Sequence, residues 1–266
     1  MQPPPPILTL TTDFGWDGPY VAAMKGVVLG LLPEARIVDV SHAVAPQNIR
    51  EGAFILSSVI DSFPQGTVHL AVVDPGVGTD RRLVAVRFQG HWFVLPDNGL
   101  IAGVLMGRTP EVVREITNPA IRRVQVSATF HGRDILAPAA AFLLGGGDIA
   151  DLGPSRQTLV DLPNFVAIPK RDGFLGEVLF RDPFGNLITS IRGDQVVGNP
   201  NGWVFEVAGR VIPGLVRTYG DSQSGSLVAV ISSSSWVEIA VVNGDAARTL
   251  DAGRGTTVRV CRVNLS

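Results

Sequence analysis

Residues 7–31 read ILTLTTDFGWDGPYVAAMKGVVLGL, a short apolar run ending on Asp13 and followed at once by a helical pattern. The run 7–12 has the length and β-branched content of a buried strand, and after Pro19 the residues Val21, Met24, Val28 and Leu31 recur at helical spacing. The alternation continues outward from there. Residues 36–40 are strand-like, and Ile49, Ala53, Leu56 and Ile60 mark a helix that Pro64 stops. Strands are predicted over 67–73, 83–88 and 92–95, a short helix over 98–106, and a longer one over 134–144, ended by Gly145-Gly146-Gly147. Strands alternating with helices predict an α/β domain, its sheet covered on both faces.

From Gly173 the pattern changes. Residues 176–180, 187–191, 203–207, 226–231, 236–242 and 256–263 are short alternating stretches separated by Gly, Pro, Asn and Asp, with no helical stripe. They predict a small antiparallel sandwich or barrel. The expected division is an N-terminal α/β domain over 1–161, a linker over 162–172 carrying Pro163 and Pro169, and a C-terminal domain over 173–266. A length of 266 residues agrees with two domains at roughly 100 to 200 residues each.

Lys plus Arg number 22 and Asp plus Glu 24, with no long run of either sign, which argues against nucleic acid or an anionic membrane as the main partner. Cys261 is the only cysteine, so an internal disulfide and a multi-thiolate zinc site are both excluded, and its place in an alternating stretch predicts inert packing. The start, Met1-Gln2 before a run of prolines, lacks the basic and apolar regions of a secretory signal. No segment reaches the roughly 18 apolar residues of a membrane helix. The cytoplasm is the expected compartment.

Ligands of open α/β sheets bind beyond the carboxyl ends of the strands. Three predicted strands end there on an acid: Asp13, Asp74 and Asp97. Asp is also an ordinary turn former after a strand. Asp74 precedes Pro75-Gly76-Val77-Gly78, a rigid then permissive turn suited to bring Arg81 back toward it, although such a pair is also a common surface feature. His131, in Phe130-His131-Gly132-Arg133-Asp134, stands at a helix entry where Asp134 suits a cap or first-turn acid. Asp13-Phe14-Gly15 matches a kinase triplet without the other kinase loops, and Gly145-Gly146-Gly147 follows a helix, where a phosphate cradle would precede one.

Together, Thr12-Asp13-Phe14-Gly15, Val73-Asp74-Pro75-Gly76-Val77-Gly78-Thr79 with Arg81, Pro96-Asp97-Asn98-Gly99-Leu100, Phe130-His131-Gly132-Arg133-Asp134 and Asp182-Pro183-Phe184-Gly185-Asn186 resemble one family. It is the S-adenosylmethionine hydroxide adenosyltransferases, or adenosine-forming S-adenosylmethionine hydrolases, related to the fluorinase and chlorinase. The resemblance covers residues 7–263 in order. It implies an N-terminal mixed-sheet α/β sandwich and a C-terminal antiparallel β-barrel, a homotrimer with sites at subunit interfaces, and hydrolysis of S-adenosylmethionine to adenosine and methionine without cofactor or metal.

The family's Asp, Arg and His triad falls on Asp74, Arg81 and His131. The sulfonium already activates the ribose 5'-carbon, and methionine leaves as a neutral thioether, so what the site must supply is a nucleophile. Bulk water has a pKa of about 15.7. Asp74 or His131 is the expected proton acceptor, with the choice open, and Arg81 favours hydroxide-like character. For binding, the resemblance implies Asp13 on the ribose hydroxyls, Phe130 and Phe184 packing on the ligand, and Asn186 reading adenine. It implies Asp182 at the methionine ammonium, Ser233 or Ser234 at its carboxylate, and Glu238 with Asn243 on the adenine side. Read without the resemblance, residues 182–186 are a tight turn.

Halide-using relatives carry neutral residues in place of Asp74, a hydroxyl residue in place of Gly132 and an aromatic in place of Gln47. A carboxylate at the attack position repels halide, so water is the expected nucleophile. The alternatives are a 5'-halogenating transferase, a binding module that holds S-adenosylmethionine or adenosine without turnover, and a metal-dependent hydrolase built on Asp74, His131 and Asp134.

Overall fold

The computed structural model describes residues 6–263; the reading of the N-terminus as lacking a signal rests on residues 1–5 and lies outside them. The chain divides between Leu162 and Pro163 into two compact units. Among the described residues the first contains β1 (Ile7–Thr12), α1 (Tyr20–Leu31), β2 (Arg36–Ser41), α2 (Ile49–Ser57), β3 (Val68–Val72), β4 (Leu83–Phe88), β5 (His91–Pro96), α3 (Ala102–Leu105), β6 (Val112–Glu115) and α4 (Ala137–Leu144). The strands form a mixed sheet in the order β2-β1-β3-β5-β4-β6, parallel from β2 to β5 and antiparallel across β4.

Strand alternation sends Leu8, Leu10, Leu70 and Val72 to one face, where Met24 and Val28 of α1 and Leu143 of α4 complete a buried core. Val73 faces the other way and meets Gly52 of α2, where a Cβ would stand 3.0 Å from it. Helices thus cover both faces. The path β1-α1-β2 moves off one side of β1, and β2-α2-β3 returns to its other side. That reversal opens a crevice at the carboxyl ends of β1 and β3.

Local differences from the sequence expectation have local causes. Leu31, expected on the buried stripe, is exposed at the end of α1. The helix expected over 98–106 is reduced to α3, because the Asn98 side chain donates to Val73 O (2.8 Å) and accepts from Leu100 N (3.2 Å), locking a turn instead. The helix expected from 134 begins earlier as a π-helical turn, Gly132–Leu136, before α4. Pro138 has no N–H for the Asp134 carbonyl, which instead accepts from Arg123 N (2.9 Å). Strand β6 escaped the sequence pattern because its four residues are too few to show a period.

The second unit holds β7 (Ile168–Lys170), β8 (Gly173–Arg181), β9 (Leu187–Arg192), β10 (Trp203–Val207), β11 (Arg210–Pro213), β12 (Leu227–Ile231), β13 (Trp236–Val241), α5 (Ala246–Leu250) and β14 (Thr257–Arg262). Its antiparallel sheet runs β11-β10-β14-β8-β9-β13-β12, with β7 on β8, and its ends β11 and β12 come together to make a near-barrel around Phe205, Leu187, Val237 and Ile239. Strand β7 lies within the stretch read as linker. The absence of a helix, expected here, is corrected by α5. Its five residues are too short for a stripe, and it starts on Asp245, whose side chain accepts from Arg248 N. Cys261 lies half-buried on β14. Among the described residues no helix is long and apolar enough to cross a membrane.

The first unit buries a histidine pair. His69 is fully enclosed, with Nδ1 at 2.8 Å from Thr9 Oγ1, Nε2 at 3.3 Å from His91 Nδ1, and its ring stacked on Phe93. Burial, and then the proximity of His91, lower its pKa from 6.5 to about 3. The folded value lies below the unfolded one, so this contribution to stability is complete above pH 6.5 and is lost as pH falls toward 3. Urea unfolding at pH 5 and 7 should show a loss on acidification, with His69 accounting for roughly 2 kcal/mol. A His69→Phe variant should lose measurably less over the same interval.

Candidate active site

Asp74 follows the end of β3, and the turn after it is closed by Val77 N to Asp74 O (3.2 Å) and by Thr79 N and Oγ1 to Gly76 O (3.1 and 2.7 Å). Gly78 sits at φ +82° against the Ala128 carbonyl, where a Cβ would come within 2.5 Å. The chain thereby doubles back. Arg81 Nε donates to Asp74 Oδ1 and Oδ2 at 2.8 and 2.9 Å, and its terminal nitrogen donates to Oδ2 and to His131 Nδ1 (3.1 Å). With side chains 5% and 10% exposed, Asp74 and Arg81 are a buried pair rather than a surface one.

His131 precedes the π-helical turn. Burial, then the Arg81 charge, push its pKa below 6.5 against the opposing pull of Asp74 and Asp134. Arginine has no acceptor, so His131 Nδ1 must accept from Arg81 and the neutral ring carries its hydrogen on Nε2. Asp134 takes no part in this chain of contacts. It is fully buried, accepts from Ser127 N (2.8 Å) and from Arg133 (2.7 and 2.9 Å), and holds the loop before α4 closed. Its place as a metal partner of Asp74 and His131 is therefore corrected. Among the described residues no three His, Cys, Asp or Glu side chains stand close enough together to hold a metal ion.

Asp13 extends the arrangement across the crevice from the end of β1. Its Oδ2 accepts from Gln47 N (2.7 Å), a residue held at φ +64°. Burial raises its pKa; backbone hydrogen bonds oppose this, and the charge of Asp74 adds to it. The third strand-end acid is different: Asp97 is buried, paired with Arg82 and bonded to Val160 N (2.7 Å), so it fastens the chain instead of lining the rim.

A cleft of about 370 Å³ opens over Asp13, Asp74 and His131. One wall is a triangle of rings, Phe14, Tyr20 and Phe130, with centroids 5.5 to 5.8 Å apart. Sequence reasoning named Phe130 but missed Phe14, Tyr20 and the Gln47 amide. Phe14 lay beside a singled-out acid; nothing about Tyr20 or a backbone N–H marks it in a sequence. A larger groove of about 830 Å³ near Leu31, Ile121 and Phe142 contains none of these groups.

The remaining candidates belong to the second unit. Asp182 accepts from Phe184 N, Asn186 N and Asn186 Nδ2 at 2.8 to 2.9 Å, so the 182–186 turn is built on its carboxylate. Phe184 is 78% exposed at the tip of that turn. Glu238, buried on β13, accepts from the Tyr219 hydroxyl, and burial together with the charge of Asp182 raises its pKa against that bond. Ser233 and Ser234 lie in the turn between β12 and β13, where Ser234 Oγ is 2.9 Å from Ser232 Oγ. Asn243 donates to Ser224 at 3.4 Å. Asp182 and Glu238 are in electrostatic reach of each other, whereas Ser234 is bonded within its own turn.

Comparison with known proteins places the chain in one lineage. The sequence model of the SAM hydroxide adenosyltransferase N-terminal domain matches residues 8–153 and that of the C-terminal domain residues 176–259. The chain is 41% identical over 261 residues to an (R)-S-adenosyl-L-methionine hydrolase of Salinispora tropica, covering 97% of this chain and 98% of that one. It is 39% identical to a protein of the same name from Thermus thermophilus, covering 94% and 97%, and 27% identical to a fluorinase of Actinopolyspora mzabensis, covering 97% of each. An uncharacterized conserved protein from Thermotoga maritima superposes with a TM-score of 0.88 at 33% identity, covering 96% of this chain and all of the other. The chain belongs to the SAM hydroxide adenosyltransferase family.

Proposed function

We propose that the protein hydrolyses S-adenosylmethionine to adenosine and methionine, with water attacking the ribose 5'-carbon as the carbon–sulfur bond breaks. The observation that carries this reading is that Asp74 and His131, which both line the cleft, are joined through Arg81 in one continuous contact. Asp13, Asp74 and Arg81 leave the cleft with net negative charge, which favours a sulfonium and disfavours a halide. Names of relatives agree: the hydrolases stand at 39 to 41% identity and the fluorinase at 27%.

In this mechanism Asp74 takes the proton. His131 Nδ1 is occupied by Arg81 and its Nε2 bears hydrogen, so the ring donates to the water oxygen and orients it. Water need not ionise first. As its oxygen bonds to carbon it becomes a protonated alcohol, a strong acid that even an arginine-paired carboxylate deprotonates. Holding that water in line with the carbon–sulfur bond lowers the barrier by up to roughly 7 to 11 kcal/mol. Asp13 binds the ribose hydroxyls, and Phe14, Tyr20 and Phe130 pack on the substrate. Asp182, Phe184, Asn186, Ser233, Ser234 and Glu238 keep the binding roles that the resemblance implies. No cofactor or metal takes part, and the cytoplasm and a homotrimeric assembly belong to the same proposal.

Chromatography of S-adenosylmethionine digests, run on both sulfur epimers because the relatives are named for the (R) form, should show adenosine and methionine, unaffected by chelator. Ligand bound but unconsumed would establish a binding module instead, and a halide-dependent 5'-halonucleoside a halogenase. Asp74→Ala and His131→Ala should each lower kcat by about 10² to 10⁴. His131→Asn, which keeps a neutral donor, should lose less than His131→Ala. Protonating His131 sets a second positive charge beside Arg81, so kcat/KM should hold from about pH 8 to 6.5 and decline only below it, in keeping with the lowered pKa. Gly78→Ala should destabilise the protein by about 1 to 3 kcal/mol in a denaturant titration and lower kcat by displacing Arg81.

A further inference from the structure

The loop that carries Asp13 is gripped from behind by a chain of side chains, buried at Thr12 and His42 and part-buried at Asp39 and Lys25, of which sequence reasoning noted only Thr12. His42, at the end of β2, is fully enclosed. Its Nε2 is 3.0 Å from Asp39 Oδ1, its Nδ1 2.8 Å from Thr12 Oγ1, and Asp39 Oδ2 accepts from Lys25 Nζ (2.6 Å). The ionised carboxylate of Asp39 only accepts, so Nε2 donates to it. In the neutral ring Nδ1 then accepts from the Thr12 hydroxyl, whose oxygen in turn accepts from Phe14 N (3.3 Å). Each group is used once, and the donors run in one direction from Phe14 to Asp39.

The same residue holds the loop at two further points. The His42 carbonyl accepts from Gly15 N (2.8 Å), and Trp16 sets its ring perpendicular to the imidazole with centroids 4.6 Å apart. His42 thus contacts residues 12, 15 and 16, on both sides of Asp13 and Phe14. Lys25 and His42 hold Asp39 ionised: burial pushes its pKa up, but their hydrogen bonds and the Lys25 charge bring it below the usual carboxylate value.

We infer that His42, backed by Asp39 and Lys25, is a positioning residue that presents Asp13 and Phe14 to the substrate. The inference rests on the proposed binding of the ribose by Asp13. It separates from the hydrolytic trio, which reaches the cleft from β3 and the π-helical turn. Misplacing the loop weakens substrate binding and leaves the attack on carbon intact.

The test splits the two ring nitrogens, since Asn reproduces Nδ1 and Gln reproduces Nε2. His42→Gln and Thr12→Val should raise KM about tenfold with kcat changed less than about twofold, and His42→Asn should raise KM less. In an Asp13→Asn background His42→Gln should add little, because both act through one carboxylate. Lys25→Met, at a partly exposed position, should move KM in the same direction and serves if the His42 variants fail to fold. Hydrogen exchange supplies a readout that needs no substrate: amides of Phe14 and Gly15 should exchange faster in these variants while those of residues 76–81 do not. Unchanged exchange at Phe14 and Gly15 overturns the inference, as does a full additive effect on Asp13→Asn or a loss confined to kcat. A wild-type protein that forms no adenosine defeats the hydrolase reading alone, and the exchange experiment still decides this one.

Discussion

A carboxylate and a guanidinium buried side by side at the head of β3 are the constraint around which the first unit is arranged. Removing two charges from water costs several kcal/mol per ion, and the attraction between them repays this only in good geometry with the remaining donors satisfied. Asp74 and Arg81 meet in a forked contact, and the terminal nitrogen of Arg81 gains a further acceptor in His131 Nδ1. The pairing depends on the reversal of the chain at Gly78, which in turn depends on the close approach of the Ala128 carbonyl from the segment leading to His131. Three separate stretches are thereby tied to one point.

The tie also governs the protonation of its members. Arg81 directs a hydrogen at His131 Nδ1, which fixes the tautomer and, with burial, keeps the ring neutral. A histidine so placed is a donor toward the cleft, and the carboxylate beside it is the remaining base. Across the crevice Asp13 sits near the same negative charge and is held by a backbone N–H and by a loop anchored on His42. In the proposed mechanism attack and binding therefore fall to the ends of two neighbouring strands, β3 and β1, with independent supports behind each.

Much of this was legible in the sequence because it is written in short-range chemistry. The boundaries of β1 and β4 follow the apolar runs, as strands buried on both faces do, and those of β10 follow an alternating stretch buried at Trp203, Phe205 and Val207. Asp13 and Asp74 could be picked out because an acid ending such a run lies where α/β sheets bind ligands. The short elements β6, β7, β11 and α5 were not legible, since three to five residues carry too little periodicity. Asp97 obeys the same strand-end rule as Asp13 and Asp74, yet its neighbour Arg82 and the Val160 amide, distant in sequence, turn it into a fastening.

The sequence by itself determined the two kinds of domain, the strand ends that carry the acids, and through ordered motifs the family. It did not determine which side chains meet. The meeting of Arg81 and His131 across 50 residues, the turning of Asp134 toward Ser127 and Arg133, and the enclosure of His42 behind Asp13 come from the tertiary structure. The physical reason is that a local pattern sets which face of an element is buried, whereas a hydrogen bond depends on distance and direction between elements that the chain brings together only when the whole core has packed.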